Sequence, residues 1–242
     1  MGQHALPTVF GANTRDPASR FGYNTAFLMA ASGRILGQYD KHHLVPLGEY
    51  IPLVNPSVLT RYIPEIAHHF AGEGPVRFVF DHEFEPGSAA RPVALGPVVC
   101  YEDIIAAYVR QVAAQPGGID LLVNITIDAW YGDSAEPWQH LALAQFRSVE
   151  HRIPMVRSVI TGVSAVIDHN GRLQSHIPLR AVSRATLDEY PAEILVQTIA
   201  LPRNSAEMPT PFARFGWWLP YLWMGVLLVL GMRAVRFGAR LG

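Results

Sequence analysis

The chain holds one cysteine, Cys100, and it stands where a short apolar run meets a helical pattern. Pro97, Val98 and Val99 suit the end of a buried strand, being apolar and largely β-branched. Beyond the cysteine, Ile104, Ile105, Tyr108, Val109, Val112 and Ala113 recur at helical spacing, and Gly117-Gly118 supplies the stop. A thiol between a strand end and a helix start meets unpaired N–H groups that favour an anion. Its ordinary pKa of about 8.5 should fall, giving a thiolate nucleophile. The same residue also fits an inert core cysteine, since free cysteine is among the most buried residue types. The stretch alone leaves both readings open.

A second chemical pair lies upstream. Lys41 follows a strand-like run, and Glu49 falls on a loop bounded by Pro46, Gly48 and Pro52, so opposite charges can meet there. By composition alone the two would read as solvated surface charges. His42-His43 and His68-His69 are adjacent pairs that point to opposite faces of an extended chain and rarely share one ion, so they read as non-ligands. A single cysteine excludes a disulfide framework and a multi-cysteine zinc site. No metal and no cofactor is expected.

The elements that must position these groups form one large α/β domain within 242 residues, half of them hydrophobic. A net charge of −1 leaves no basic stripe for phosphates, which excludes nucleic acid as the main partner. Residues 1–13 lack the pattern of a signal peptide. Residues 7–11 read as a strand. Residues 25–30 and 34–36 form a hairpin around Ser32-Gly33, and the design returns at 163–167 and 173–177 around Asn170-Gly171. Two such hairpins fit a layered sandwich better than a single Rossmann sheet. Residues 53–91 lack a clear period and read as a lid or binding loop, with one amphipathic turn at Tyr62, Ile63, Ile66 and Phe70. Then come a buried strand at 121–126, a turn at 128–134, a helix opening at Pro137 and a strand at 155–159. Strand–helix–strand–helix–strand signals crossovers. A late strand is expected at 194–201.

Residues 215–232 carry no charge, and at about 18 residues they fall at the short end of the range for a bilayer-spanning helix. Trp217, Trp218, Tyr221 and Trp223 would form an interfacial belt, and Arg233, Arg236 and Arg240 would hold the far end in the cytoplasm. The expected division is therefore a main α/β domain at 1–211, then a linker, membrane helix and basic cytoplasmic tail at 212–242.

Four collinear blocks, YDKHHLVPLGEYIP, VVCYEDI, NITIDAWYGDSAEPWQH and RSVITGVSAVIDHNGR, resemble the nitrilase (carbon–nitrogen hydrolase) superfamily. Within it they resemble the bacterial apolipoprotein N-acyltransferases, as does TPFARFG ahead of the terminal apolar run. The resemblance implies a nitrilase-like α-β-β-α sandwich, N-terminally incomplete here, and a Glu–Lys–Cys catalytic set. Cys100 matches the nucleophile, Lys41 the oxyanion-stabilising lysine, and Glu49 an accessory glutamate. Tyr101 and Glu102 match residues the acyltransferases require, and Trp130 and Tyr131 are the substrate-binding candidates. The implied partners are a phospholipid acyl donor and a diacylglyceryl lipoprotein acceptor, at a bacterial inner membrane with the catalytic domain periplasmic. The family's general-base glutamate lies upstream of the first strand here. The reading therefore expects the C-terminal part of a longer enzyme, silent without an N-terminal half. Two alternatives stand beside it: an amidase or nitrilase acting on a small C–N bond, and an inactive module that binds lipid or a partner.

Overall fold

The strands separate into two sheets in the computed structural model of the chain, which describes residues 6–15, 22–52, 69–128, 134–177, 193–202 and 209–238. Strands β1 (Thr8–Arg15), β2 (Gly22–Met29) and β3 (Ile35–Asp40) form a three-stranded antiparallel sheet. The β2–β3 hairpin turns at Gly33 with φ 85°, a conformation that glycine adopts without strain. The larger sheet runs in sequence order through β4 (Phe78–His82), β5 (Arg91–Val99), β6 (Leu121–Ile127), β7 (Met155–Ile160), β8 (Ala165–Ile167) and β9 (Leu173–His176). Its three middle strands are parallel, and the crossovers between them carry the helices. A 3-10 turn (Cys100–Ile104) and α1 (Ala106–Ala113) join β5 to β6, while α2 (Glu136–His151) joins β6 to β7. Pro137 sits in the first turn of α2, as the sequence predicts.

One apolar cluster spans the layers. Ala26, Leu28 and Tyr39 of the small sheet meet Phe78, Val93, Leu95 and Val98 of the large one, and Val109, Val112, Leu141 and Ala144 close it from the helical side. Each large side chain in it contributes about 1.5–3 kcal/mol by leaving water. Gly96 lets α1 lie directly on β5, because a Cβ there would stand 2.6 Å from Val112 Cγ1. The described layers are thus helix, sheet, sheet. No helix among the described residues packs in the same way on the outer face of β1–β3.

Three expectations need correction. The aperiodic stretch 53–91 contains β4, which pairs antiparallel with β5 from Phe78 to His82. Tyr62, Ile63 and Ile66 lie outside the described residues. The late strand at 194–201 does not form: this segment joins neither sheet, and Ile194 and Val196 are exposed. The single membrane helix at 215–232 does not form either. The helical run is interrupted at Phe215, whose φ of −124° leaves the helical region, giving α3 (Pro211–Phe215), a 3-10 turn (Gly216–Trp218) and α4 (Leu219–Gly238). The uncharged part of α4 runs only from Leu219 to Met232, roughly 21 Å of rise against a hydrocarbon core of about 30 Å. Among the described residues no helix is long and apolar enough to cross a membrane.

Candidate active site

Strand β5 ends at Val99, and the next residue takes a left-handed turn: Cys100 has φ 55°. A side chain with a Cβ rarely adopts that region, so the turn is held by its surroundings. Asn124 on β6 donates from Nδ2 to the Cys100 carbonyl at 2.9 Å. Glu102 then acts as a plug beneath the turn. Its carboxylate accepts from Val99 N at 2.7 Å, from His42 N and His43 N at 2.9 Å, and from the Tyr39 hydroxyl at 2.7–2.8 Å. Tyr108 in turn donates to Tyr39 at 2.6 Å. Burial raises the pKa of Glu102, and the backbone N–H groups of His43 and Val99 oppose that rise. One carboxylate therefore ties the cysteine turn to the loop after β3. Its oxygens are spent on that loop and turn.

The same loop carries the lysine. Lys41 is fully buried, and its ammonium donates to both Glu49 oxygens at 2.9 and 2.7 Å. Glu49 is itself fixed by Val45 N at 2.8 Å and by Asn24 Nδ2 at 3.2 Å. The ammonium lies 5.2 Å from the centre of the Tyr101 ring, whose hydroxyl donates to the Leu44 carbonyl at 2.9 Å. Burial pushes the Tyr101 phenol up to about 12, so it stays protonated. Gly72 is required here for space. Its N–H donates to the Lys41 carbonyl at 2.8 Å, and a Cβ would overlap the Asp40 carbonyl oxygen.

Cys100 faces a mixed field. Burial pushes its thiol up, while Lys41, the Thr126 hydroxyl and the Tyr101 N–H pull it down; Asp128 pushes it up again. The net direction is upward, which corrects the thiolate expected from a helix N-terminus. The turn holds only five residues in 3-10 form before α1 begins, and burial outweighs its donors.

Sequence reasoning missed a buried network behind this turn. Asp103, two residues past Tyr101, pairs with Arg157 on β7 and accepts from His140 Nε2 at 2.8 Å. His140 Nδ1 lies 3.2 Å from Asp128 Oδ1, which also accepts from the Thr126 hydroxyl at 3.2 Å. All five side chains are buried. Burial pulls the His140 pKa down, but its bonds to Asp103 and Asp128 outweigh this and lift it to about 9. Two cations thus balance two carboxylates. No sequence spacing marks this set, since its members come from a 3-10 turn, strands β6 and β7, the residue just past β6, and helix α2.

Asp128, Glu136 and His140 are close enough to share a cation. Both His140 ring nitrogens already face carboxylates, Nε2 toward Asp103 at 2.8 Å and Nδ1 toward Asp128 at 3.2 Å. His42 is engaged elsewhere, with Nδ1 2.6 Å from the Gly72 carbonyl. The structure brings Cys100, Lys41, Glu49, Tyr101 and Glu102 into one region. Trp130 and Tyr131 lie outside the described residues.

Comparison with known proteins points the same way. The carbon-nitrogen hydrolase family matches residues 3–201. The apolipoprotein N-acyltransferase of Geobacter metallireducens is 38% identical over 165 residues, covering 64% of this chain and 28% of its own. That of Bdellovibrio bacteriovorus is 32% identical over 232 residues, covering 93% of this chain and 38% of its own. The chain therefore spans about a third of the length of these curated relatives. Among solved structures, an amidase from Nesterenkonia sp. superimposes with a TM-score of 0.51 at 22% identity, over 76% of this chain and 66% of that one. A match over most of its length, carried by a two-sheet fold with the lysine and cysteine turns at adjoining strand ends, makes this chain a member of the carbon-nitrogen hydrolase family, similar within it to the apolipoprotein N-acyltransferases.

Proposed function

We propose that this chain supplies the thiol and oxyanion side of an N-acyltransferase. The enzyme would move a fatty acyl chain from a phospholipid to the N-terminal amine of a diacylglyceryl-cysteine lipoprotein. One observation carries the chemistry: a buried lysine, held by a glutamate, sits against the residue that follows a half-buried cysteine on a strained turn. The choice of substrates is supported by the names of the curated relatives.

In this reading the Cys100 sulfur attacks the ester carbonyl and forms a C–S bond as the carbonyl electrons move onto oxygen. Glu49 takes two of the three Lys41 N–H donors, and the third faces the developing oxyanion together with the Tyr101 N–H. Collapse expels the lysophospholipid alkoxide, which takes the thiol proton, and leaves a thioester. The acceptor amine then attacks the thioester, an amide forms, and the sulfur leaves with the proton the amine gives up. Tyr101 shapes the lysine side, while Glu102 acts as a positioning residue through Val99, His42 and His43. Glu49, Glu102 and Asp103 are occupied by these bonds, so the proton is handled by a different carboxylate, in line with the upstream glutamate the resemblance implies.

The test uses the full-length enzyme and a phospholipid with a labelled acyl chain. An acyl mass on Cys100 that a diacylglyceryl peptide amine removes as amide supports transfer. Hydrolysis of small amides with no transfer to the peptide would replace this reading with a hydrolase.

A further inference from the structure

Strand β5 delivers Cys100 at its C-terminal end. Helices α1 and α2 run back to the opposite edge of the sheet, where β6 and β7 begin. There a cavity of about 390 Å³ is lined by Arg110 and Gln115 at the end of α1, His151 and Ile153 at the end of α2, and Arg214 of α3. It shares no residue with the thiol site.

Charge and hydrogen bonding in this cavity are incomplete. Its lining holds two guanidiniums and an imidazole but no carboxylate. Arg110 and Arg214 have no ion-pair partner among the described residues, whereas nearby Arg147 is paired with Glu150 at 2.7 Å. His151 is 4% exposed, and both its ring nitrogens lack a hydrogen-bond partner. The Phe212 ring of α3 stands against it, 6.1 Å between centres. Burial first, then Arg147 and Arg110, hold the His151 pKa down to about 4. The side chains lining this cavity therefore bring cationic groups and an unpartnered imidazole together with no carboxylate among them.

We propose that this cavity binds a phosphate group, held by Arg110 and Arg214 with His151 at its inner wall. The planar fork of a guanidinium matches two phosphate oxygens, and two forks suit a group of one to two negative charges. Arg214 lies just before Gly216, beyond which α4 exposes Tyr221, Trp223, Leu227 and Leu228. A phosphate bearing acyl chains would find both head and tail surfaces there, so a phospholipid headgroup is favoured over free phosphate. The proposal does not rest on the acyl-transfer reading, because no residue of the cavity takes part in it.

Hydrogen exchange of the 242-residue chain tests it, read at residues 113–118 and 149–153. One arm adds sodium phosphate at constant ionic strength, and the other adds phosphatidylglycerol vesicles. Saturable protection is expected, with Arg110→Gln and Arg214→Gln each raising the half-saturating concentration about tenfold. Arg110→Lys keeps the charge without the fork and should recover only part of that. Both arginines are partly exposed, so the variants should fold, and unchanged alkylation of Cys100 would confirm it. Protection by inorganic phosphate assigns a free phosphate. Arginine-dependent protection by vesicles alone assigns a headgroup. Equal protection by chloride, equal protection in the Arg110→Gln/Arg214→Gln variant, or none in either arm overturns the site.

Discussion

Lys41 and Glu49 meet across a short loop with both carboxylate oxygens on one ammonium, at 2.9 and 2.7 Å. The lysine is fully buried and the glutamate partly so, which makes the pair sensitive to shape as well as charge. Lys41→Arg keeps the charge but cannot place one compact donor in this space. In the full-length enzyme it should lower thioester formation by about 10²–10³-fold, the scale of a lost oxyanion donor. A burst assay with a chromogenic ester would measure it. A rate near the parent's would leave Lys41 as a structural charge.

Cys100→Ser should abolish the acyl adduct, since an alkoxide is far less accessible than a thiolate even with the thiol pushed up by burial. Intact-mass analysis after incubation with labelled phospholipid reads this directly. A full-size adduct in the serine variant would remove Cys100 from the chemistry.

Glu102 has no spare acceptor capacity that an amide could replace without harm. Glu102→Gln would turn an NH₂ group toward backbone donors from Val99, His42 or His43. The expected loss is about 2–3 kcal/mol of stability, measured from urea unfolding, with activity falling as the two loops part. A midpoint within error of the parent would contradict the plug.

Two histidines set opposite limbs of the stability profile. His140 titrates near 9 in the folded chain against about 6.5 unfolded, so its contribution is full below pH 6.5 and lost as pH rises toward 9. His151 titrates near 4, so its contribution is present above pH 6.5 and lost as pH falls toward 4. Each limb is worth on the order of 3 kcal/mol. Thermal unfolding of His140→Gln should flatten the alkaline limb alone, and His151→Gln the acid limb alone. Parallel shifts of the whole curve would refute the assignment.

Much of this architecture is legible in residue order because glycine and periodicity mark it. Gly33 and Gly171 turn their hairpins at positive φ, and Gly117-Gly118 follows α1 as expected. The Lys41–Glu49 pair was legible as a possibility, since a Pro- and Gly-bounded loop brings them within reach. What stayed hidden depends on contacts distant in sequence. A glutamate in the string does not reveal that Glu102 accepts from four groups. Asp103, His140 and Arg157 form no motif, because crossovers alone bring them together. Strand β4 owes its existence to pairing with β5, and its five residues are too few to show a period. Hydropathy summed over 215–232 likewise cannot see the turn at Gly216 that shortens α4.

The bonds around residues 100–103 also impose an order on synthesis. Glu102 closes onto His42, His43 and Tyr39, all made before it, so that side of the turn can be seated once residue 102 has left the ribosome. Asp103 must wait for His140, 37 residues later, and for Arg157, 54 residues later. At about 5–20 residues per second, the cysteine turn stays half-tethered for several seconds of translation. Arrested nascent chains released at residue 134 and at residue 170 should therefore differ sharply in thiol protection. The last contacts that organise the nucleophile are the last to be translated.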